Sequence, residues 1–158
     1  MTAFLFAGCG YKPTTSIVKN SISGKVFIET KIDIQNLNNT VLMHDALIHM
    51  LNSKLDIELV EQKKDATSFV YGELKSISES ILETDAQGFA KVYRESVTIL
   101  VSFTTQDKKT KTFTVSNYYD FVVSSDSVVS ASKKEEAIRL AIDKALSDVF
   151  SRIAIHTL

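Results

Sequence analysis

Apolar and polar residues alternate most cleanly between Tyr93 and Phe103. Tyr93, Val97, Ile99, Val101 and Phe103 share one parity, and Arg94, Ser96, Thr98 and Ser102 share the other. A period of two sends successive side chains to opposite faces, so this stretch predicts a half-buried strand. A second such strand follows the turn signal Asp107-Lys-Lys-Thr110. In it Phe113, Val115, Tyr119, Phe121 and Val123 alternate with Thr112, Thr114, Ser116, Tyr118 and Asp120. Earlier, Val26, Ile28, Ile32 and Ile34 alternate with Phe27, Glu29, Lys31 and Asp33, a third half-buried strand. Leu55 to Val60 reads as a short apolar strand, Glu61 to Asp65 as a polar loop, and Thr84 to Gly88 as a turn. Between them, Ser68 to Leu82 is strand-like with broken parity: Tyr71 and Ile77 share a face that Leu74 does not. A parity break predicts a bulge, and Gly72 is its candidate marker.

Two segments carry the helical period instead. Val41, Leu42, Ala46, Leu47, Met50 and Leu51 predict a helix over Thr40 to Lys54, with Asn38 or Asn39 as N-cap. Ser132-Lys-Lys-Glu135 has the form of a capping box, and Ile138, Ile142, Ala145, Val149 and Ile153 form a stripe after it. The order is strand, helix, three or four strands, helix. Long strands that neighbour one another in sequence favour antiparallel hairpins, and two amphipathic helices can cover one face of their sheet. The expected fold is α+β: a two-layer sandwich with a mainly antiparallel four-stranded sheet and two helices on one face. The other face presents Arg94, Ser96, Thr98, Ser102, Thr112, Thr114, Ser116 and Tyr118. Such a face can meet water. It also suits a wet polar wall, because hydroxyls donate and accept without burying charge.

Composition narrows the class. The 158 residues are 44% hydrophobic and 23% charged, with a formal net charge of -1. These are the proportions of a soluble globular domain and exclude a disordered chain or a multi-span membrane protein. The near-zero charge provides no field to draw in nucleic acid. A single cysteine excludes an intramolecular disulfide and a cysteine-based zinc site. That cysteine follows Ala7 and Gly8, which follow the apolar run Phe4-Leu-Phe6. A short apolar run, two small residues and then a thiol resemble the end of a bacterial lipoprotein signal peptide. Small side chains there admit the processing peptidase, and the thiol of Cys9 receives the lipid as a thioether. Phe6 stands where leucine is usual. No basic residue precedes Cys9, so the natural start is expected upstream. The expected organisation is residual signal and lipobox over 1–9, a Ser/Thr-containing tether over 10–24, and one globular domain over 25–158.

Candidate catalytic groups do not assemble. His44 and His49 lie about 140° apart around a helix and cannot share a metal as an i, i+4 pair does. His156 has no visible partner. Asp45 and His49 are at i, i+4, a helix-surface contact rather than a dyad. No Gly-x-Ser-x-Gly elbow or glycine-rich phosphate loop occurs. Glu135 and Glu136 in a helix's first turn are explained by the macrodipole. The chain therefore reads as non-enzymatic, with no metal and no cofactor. Basic residues cluster at Lys91 with Arg94, at Lys108-Lys109 with Lys111, and at Lys133-Lys134. Each suits a solvated turn or strand end. In a membrane-tethered protein they also suit anionic head groups or phosphorylated sugars.

Three features together resemble the LptE-like lipopolysaccharide-assembly lipoproteins. They are Gly8-Cys9-Gly10-Tyr11-Lys12, the strand Gly72-x-Leu74-x-x-Ile77 followed by one led by Ala90-x-x-Tyr93, and a polar lead-in to a final helix with acidic residues in its first turn. The resemblance covers about Cys9 to Ile155. It implies an outer-membrane protein, lipid-anchored at Cys9, whose domain plugs the partner β-barrel LptD and helps it assemble and accept lipopolysaccharide. It further implies lipopolysaccharide contacts at Lys91, Arg94, Lys133 and Lys134, with Ser96, Thr98, Thr112 and Thr114 facing the barrel. The polar tail that some members carry after the last helix is not seen here. Two alternatives stay open: an accessory lipoprotein of a lipid-transport ABC system, and a tethered periplasmic hydrolase.

Overall fold

A computed structural model describes residues 22, 24–33, 37–55, 57–105, 107–123 and 129–155. Cys9, His156 and most of the expected tether lie outside these residues. The elements run β1 (Gly24–Thr30), α1 (Leu37–Lys54), β2 (Ile57–Leu59), a single 3-10 turn (Lys63–Asp65), β3 (Ser68–Thr84), β4 (Ala90–Thr104), β5 (Thr110–Val122) and α2 (Ala131–Ile155). The α+β class holds, with five strands rather than four. Their order is β2-β1-β3-β4-β5. β3, β4 and β5 form the antiparallel meander that the hairpins predict. β1 lies between β2 and β3 and is parallel to both. The helix between β1 and β2 permits that arrangement, since parallel neighbours need a crossover.

The odd-numbered residues of β4 and β5 face the helices. Val97, Ile99, Val101, Phe103 and Val115 are buried there with Val26, Val70 and the helix stripes. Small residues set the spacing. Ala137, Ala141 and Ala145 recur every four residues of α2 and are fully buried. With no side chain beyond Cβ, they let the helix backbone approach the strands, while Ile142, Leu146, Val149 and Ile153 fill the flanks. Ile22 is also in this core, two residues before β1. On α1 the buried residues are Thr40, Met43, Leu47, Met50 and Leu51. Val41, expected inside, is 49% exposed.

Local expectations fail in three informative places. The first strand stops at Thr30, and Ile32 is 66% exposed. Its last backbone bond to the sheet runs from Lys31 N to Gly72 O (2.9 Å), just before β3 bends. The bend is the bulge, and it sits at Lys75, not Gly72: the register with β4 shifts between Leu74 and Ser76. The extra residue flips parity, so Ile77 and Glu79 take the helix side that Val70 and Gly72 held before it. Helix α2 begins at Ala131, one residue before the expected box. Ser130, not Ser132, accepts the Lys133 N–H on its Oγ (3.3 Å) and carbonyl (3.1 Å).

Gly72 has a different task. A Cβ there would lie 2.9 Å from Met43 Cε and 3.2 Å from Leu47 Cδ2. The missing side chain is the space into which α1 packs. Gly72→Val should lower stability by about 1–3 kcal/mol, as overpacked cores do. Gly72→Ala should cost much less, because the flexible Met43 terminus can yield. Urea unfolding of the two variants checks the difference; equal midpoints would mean that α1 does not depend on this gap.

Candidate functional site

The helix-free face joins β3, β4 and β5. Ser96 and Thr98 of β4 lie opposite Tyr118 and Ser116, and Thr112 and Thr114 of β5 lie opposite Ser102 and Leu100, so the four residues expected on this face share it at different levels. The hydroxyls pair across the strands: Thr98 with Ser116, Ser102 with Thr112, and Thr104 with Thr110, each at 2.8 Å. A hydroxyl has one donor and two acceptor sites, so each pair keeps capacity for an outside partner. The face is not uniform along its length. Leu100 lies opposite Thr114 in its middle. Val92 and Val122 pair at one end, where Val122 is 66% exposed. Phe69 and Tyr71 of β3 stand at the other end, level with Thr104 and Ser102.

The four basic candidates converge on the end of the sheet formed by the start of β4, the end of β5 and the start of α2. The Lys91 carbonyl accepts the Val123 N–H (2.8 Å), and Lys133 Nζ donates to the Val122 carbonyl (3.3 Å). They differ in side and in engagement. Lys91 shares the helix-side parity of Tyr93. Arg94 is on the helix-free face, where Nε and Nη2 donate to the two Asp120 oxygens at 2.7 and 2.8 Å. Its guanidinium also lies 3.7 Å from the Tyr118 ring centroid. The shared hydrogen bonds hold the Asp120 carboxyl below its usual range and raise Arg94 further.

Lys134 is tied inward. Its Nζ meets Glu79 Oε2 at 2.6 Å, on the helix side, where Glu79 pairs across the strands with Glu95. Glu95 is 3% exposed. Burial first, then the hydrogen bond and negative charge of Glu79, push its carboxyl up to about 7. Glu79 moves the other way, because Lys134 stabilises its anion. The trio therefore holds one proton between two carboxyls under one ammonium.

Sequence reasoning does not single out Glu79 and Glu95, and it places Tyr118 and Asp120 on the open parity of β5 without making them partners of Arg94. Of the histidines, His44 Nδ1 lies 2.8 Å from the Thr30 hydroxyl, a contact that joins α1 to β1. Among the described residues, no group of three His, Cys, Asp or Glu side chains is placed to hold a metal. Nor is any described helix long and apolar enough to cross a membrane.

A family model, LptE, described as lipopolysaccharide-assembly, matches residues 30–153. A search of curated proteins returns no match. Rare lipoprotein B from Shewanella oneidensis is 13% identical at a TM-score of 0.51, with 84% of this chain and 92% of that one covered. A minor lipoprotein from Acinetobacter baumannii is 9% identical at 0.53, with 86% and 94% covered. Lipoprotein B from Nitrosomonas europaea is 9% identical at 0.54, with 87% and 86% covered. At such identities the likeness is one of fold.

The carboxyl pair makes stability depend on pH in a defined direction. Folded Glu95 keeps its proton to about 7, whereas an unfolded glutamate releases it near ~4.3. Between those values the folded state binds more protons, so this group's contribution to stability falls as pH rises through the window. Glu95→Gln is neutral throughout and keeps a donor for Glu79. Relative to the parent it should match at pH 4.5 and gain on the order of 2 kcal/mol by pH 8. Chemical denaturation across that range is the measurement, and a pH-independent difference would contradict the shared proton.

Proposed function

Because the chain belongs to the LptE lipopolysaccharide-assembly family, whose model matches residues 30–153, we propose that it is a non-catalytic, lipid-anchored component of the outer-membrane lipopolysaccharide translocon. In this reading Cys9 carries the lipid, and the domain seats against the inner wall of the β-barrel LptD. The helix-free hydroxyl face carries the proposal. Barrel interiors are polar. A surface of paired Ser and Thr side chains meets a polar wall with hydrogen bonds and no charge to desolvate. Ser96, Thr98, Thr112 and Thr114 are the residues assigned to that contact.

Lysine at positions 98 and 114 would put two ammonium groups into the contact. Surface changes of this kind usually shift folding by only about 0.5 kcal/mol. Thr98→Lys combined with Thr114→Lys should therefore leave the domain folded by circular dichroism yet sharply reduce co-purification of the barrel from detergent-solubilised membranes. Cys9→Ala, expressed behind the natural signal, serves in parallel and should release the protein from the membrane fraction. Undiminished recovery of the barrel with the double-lysine variant would remove the plug model.

The basic end of the sheet is the proposed contact for lipopolysaccharide phosphates. The Arg94 fork is already engaged with Asp120. A fork is the better phosphate grip, but this one must exchange Asp120 for the ligand. Lys91 and Lys133 are therefore assigned the larger share, while Lys134 also neutralises Glu79. Screened exposed pairs contribute about 0–1 kcal/mol each, so Lys91→Ala with Lys133→Ala should weaken lipopolysaccharide binding by roughly 3–10-fold and flatten its salt dependence. Arg94→Ala should change the slope less. Binding indifferent to salt from low to physiological ionic strength would make these residues bystanders.

A further inference from the structure

The end of the helix-free face away from the basic cluster carries a groove of about 340 Å³. Two cross-strand rows make its floor. Phe27, Phe69, Thr104 and Thr110 are successive partners across four strands, and Glu29, Tyr71 and Ser102 form the next row. The segment linking β2 to β3 passes over β1 on this side and supplies one wall. Lys63 Nζ lies 3.6 Å from Glu29 Oε2 and 5.8 Å from the Phe69 ring centroid. The floor is thus aromatic on the β1–β3 side and hydroxylic on the β4–β5 side.

This chemistry selects a ligand class. Aromatic faces are electron-rich and attract polarised C–H bonds as well as cations. The hydroxyls of Ser102, Thr104 and Thr110 both donate and accept, as the hydroxyls of a sugar do. The two charges in the groove cancel, because Glu29 is paired with Lys63. They are the only charged residues of the lining, and Lys108 and Lys109 of the adjoining turn lie outside it. Within the lining a phosphate would find no unbalanced positive charge, and an acyl chain would leave the hydroxyls facing hydrocarbon, at a cost in lost hydrogen bonds. The volume is at the lower end for ligand clefts, ~300–1,000 Å³, and fits on the order of one or two pyranose rings. We propose that this groove binds a neutral saccharide, with the ring stacked on Phe69 and Tyr71 and its hydroxyls directed to Ser102, Thr104 and Thr110. The site is separate from the basic end of the sheet, and its argument does not rest on the barrel or on lipopolysaccharide phosphates.

Two sources offer this chemistry: the sugar core of a glycolipid and a free envelope glycan. The test titrates the full chain in detergent, with labelled backbone amides, against a dephosphorylated lipopolysaccharide core oligosaccharide and, separately, N,N′-diacetylchitobiose. Amide shifts at Phe27, Phe69, Tyr71, Ser102 and Thr104 with either probe, Lys91 and Lys133 unmoved, and affinity unchanged by salt are the expected result. Which probe binds identifies the source. Phe69→Ala removes half of the stacking platform but also a half-buried ring, so Thr110→Trp is the decisive variant. It fills the groove from an exposed position and should weaken binding at least tenfold with folding intact. No shift with either saccharide, shifts confined to the basic end, or unchanged binding by Thr110→Trp would each overturn the proposal. So would loss of barrel co-purification in Thr110→Trp without any saccharide binding, since the groove would then hold a barrel side chain. Failure of the translocon reading is seen separately, in the lysine variants at 98 and 114.

Discussion

Helices α1 and α2, of 18 and 25 residues, lie on the same side of the sheet, so every residue that β3, β4 and β5 direct the other way must be satisfied without a covering layer. An apolar face would be an aggregation surface, and a strongly charged one would repel itself. The sequence meets this with hydroxyls that pair at 2.8 Å between β4 and β5 and with engaged ion pairs, Arg94 with Asp120 and Glu73 with Lys31 and Lys75. Cross-strand pairs of these kinds contribute about 0.2–1 kcal/mol each. The face is thereby stable in water and chemically suited to a polar wall. The helix side meets the opposite demand, with alanines at 137, 141 and 145 where α2 crosses closest.

The bulge at Lys75 decides what lies under the start of α2. Without it, Ile77 and Glu79 would point to the helix-free face, because a one-residue change of register inverts every later side chain. With it, Glu79 and Glu95 stand together on the helix side, and Lys134 reaches them from the first turn of α2. Removing the ammonium would leave the half-exposed Glu79 anion beside the buried Glu95 with no counter-charge. Lys134 thus fastens helix to hairpin, and any ligand at that end must accommodate this prior commitment. Glu73 plays the comparable part where β1 ends. It takes hydrogen bonds from Lys31 (2.8 Å), Lys75 (3.2 Å) and Tyr71 (3.4 Å), and Lys31 chiefly holds its carboxyl below the usual range.

Parity made much of the fold readable. β4 and β5 both bury odd-numbered positions, so any antiparallel register joining them pairs odd with odd. The observed pairs are symmetric about residue 107, within the turn signalled by Asp107-Lys-Lys-Thr110. Arg94 opposite Asp120 follows from that symmetry, although the turn signal alone does not choose between neighbouring registers of the same parity. Other features depend on contacts remote in sequence. Nothing local in Val26 to Thr30 says that β1 is inserted between β2 and β3. The bulge was legible as a parity break, but Gly72 drew attention because glycine serves both bulges and close approaches. Only the position of Met43 separates the two. Glu95 shares the parity of Val97 and Ile99 and was open to notice as a carboxyl on a core face. Its altered proton affinity needs Glu79, whose side was hidden by the same bulge.

The two ends of the sheet differ in their chemistry. At the start of β4 and α2, cations outnumber the carboxyls that engage them: Lys91, Arg94, Lys133 and Lys134 gather there, with Asp120 and Glu79 each neutralising one. At the other end Glu29 and Lys63 cancel within the groove, whose surface is aromatic beside hydroxyl, and Lys108 and Lys109 stand in the adjoining β4–β5 turn. Attraction between a cation cluster and an anionic ligand weakens with salt, whereas contact between a neutral ligand and paired charges does not. Between the two ends, where Thr98 pairs with Ser116 and Leu100 lies opposite Thr114, the β4–β5 ribbon itself bears hydroxyls and one aliphatic side chain without a charge, the chemistry that suits a polar wall.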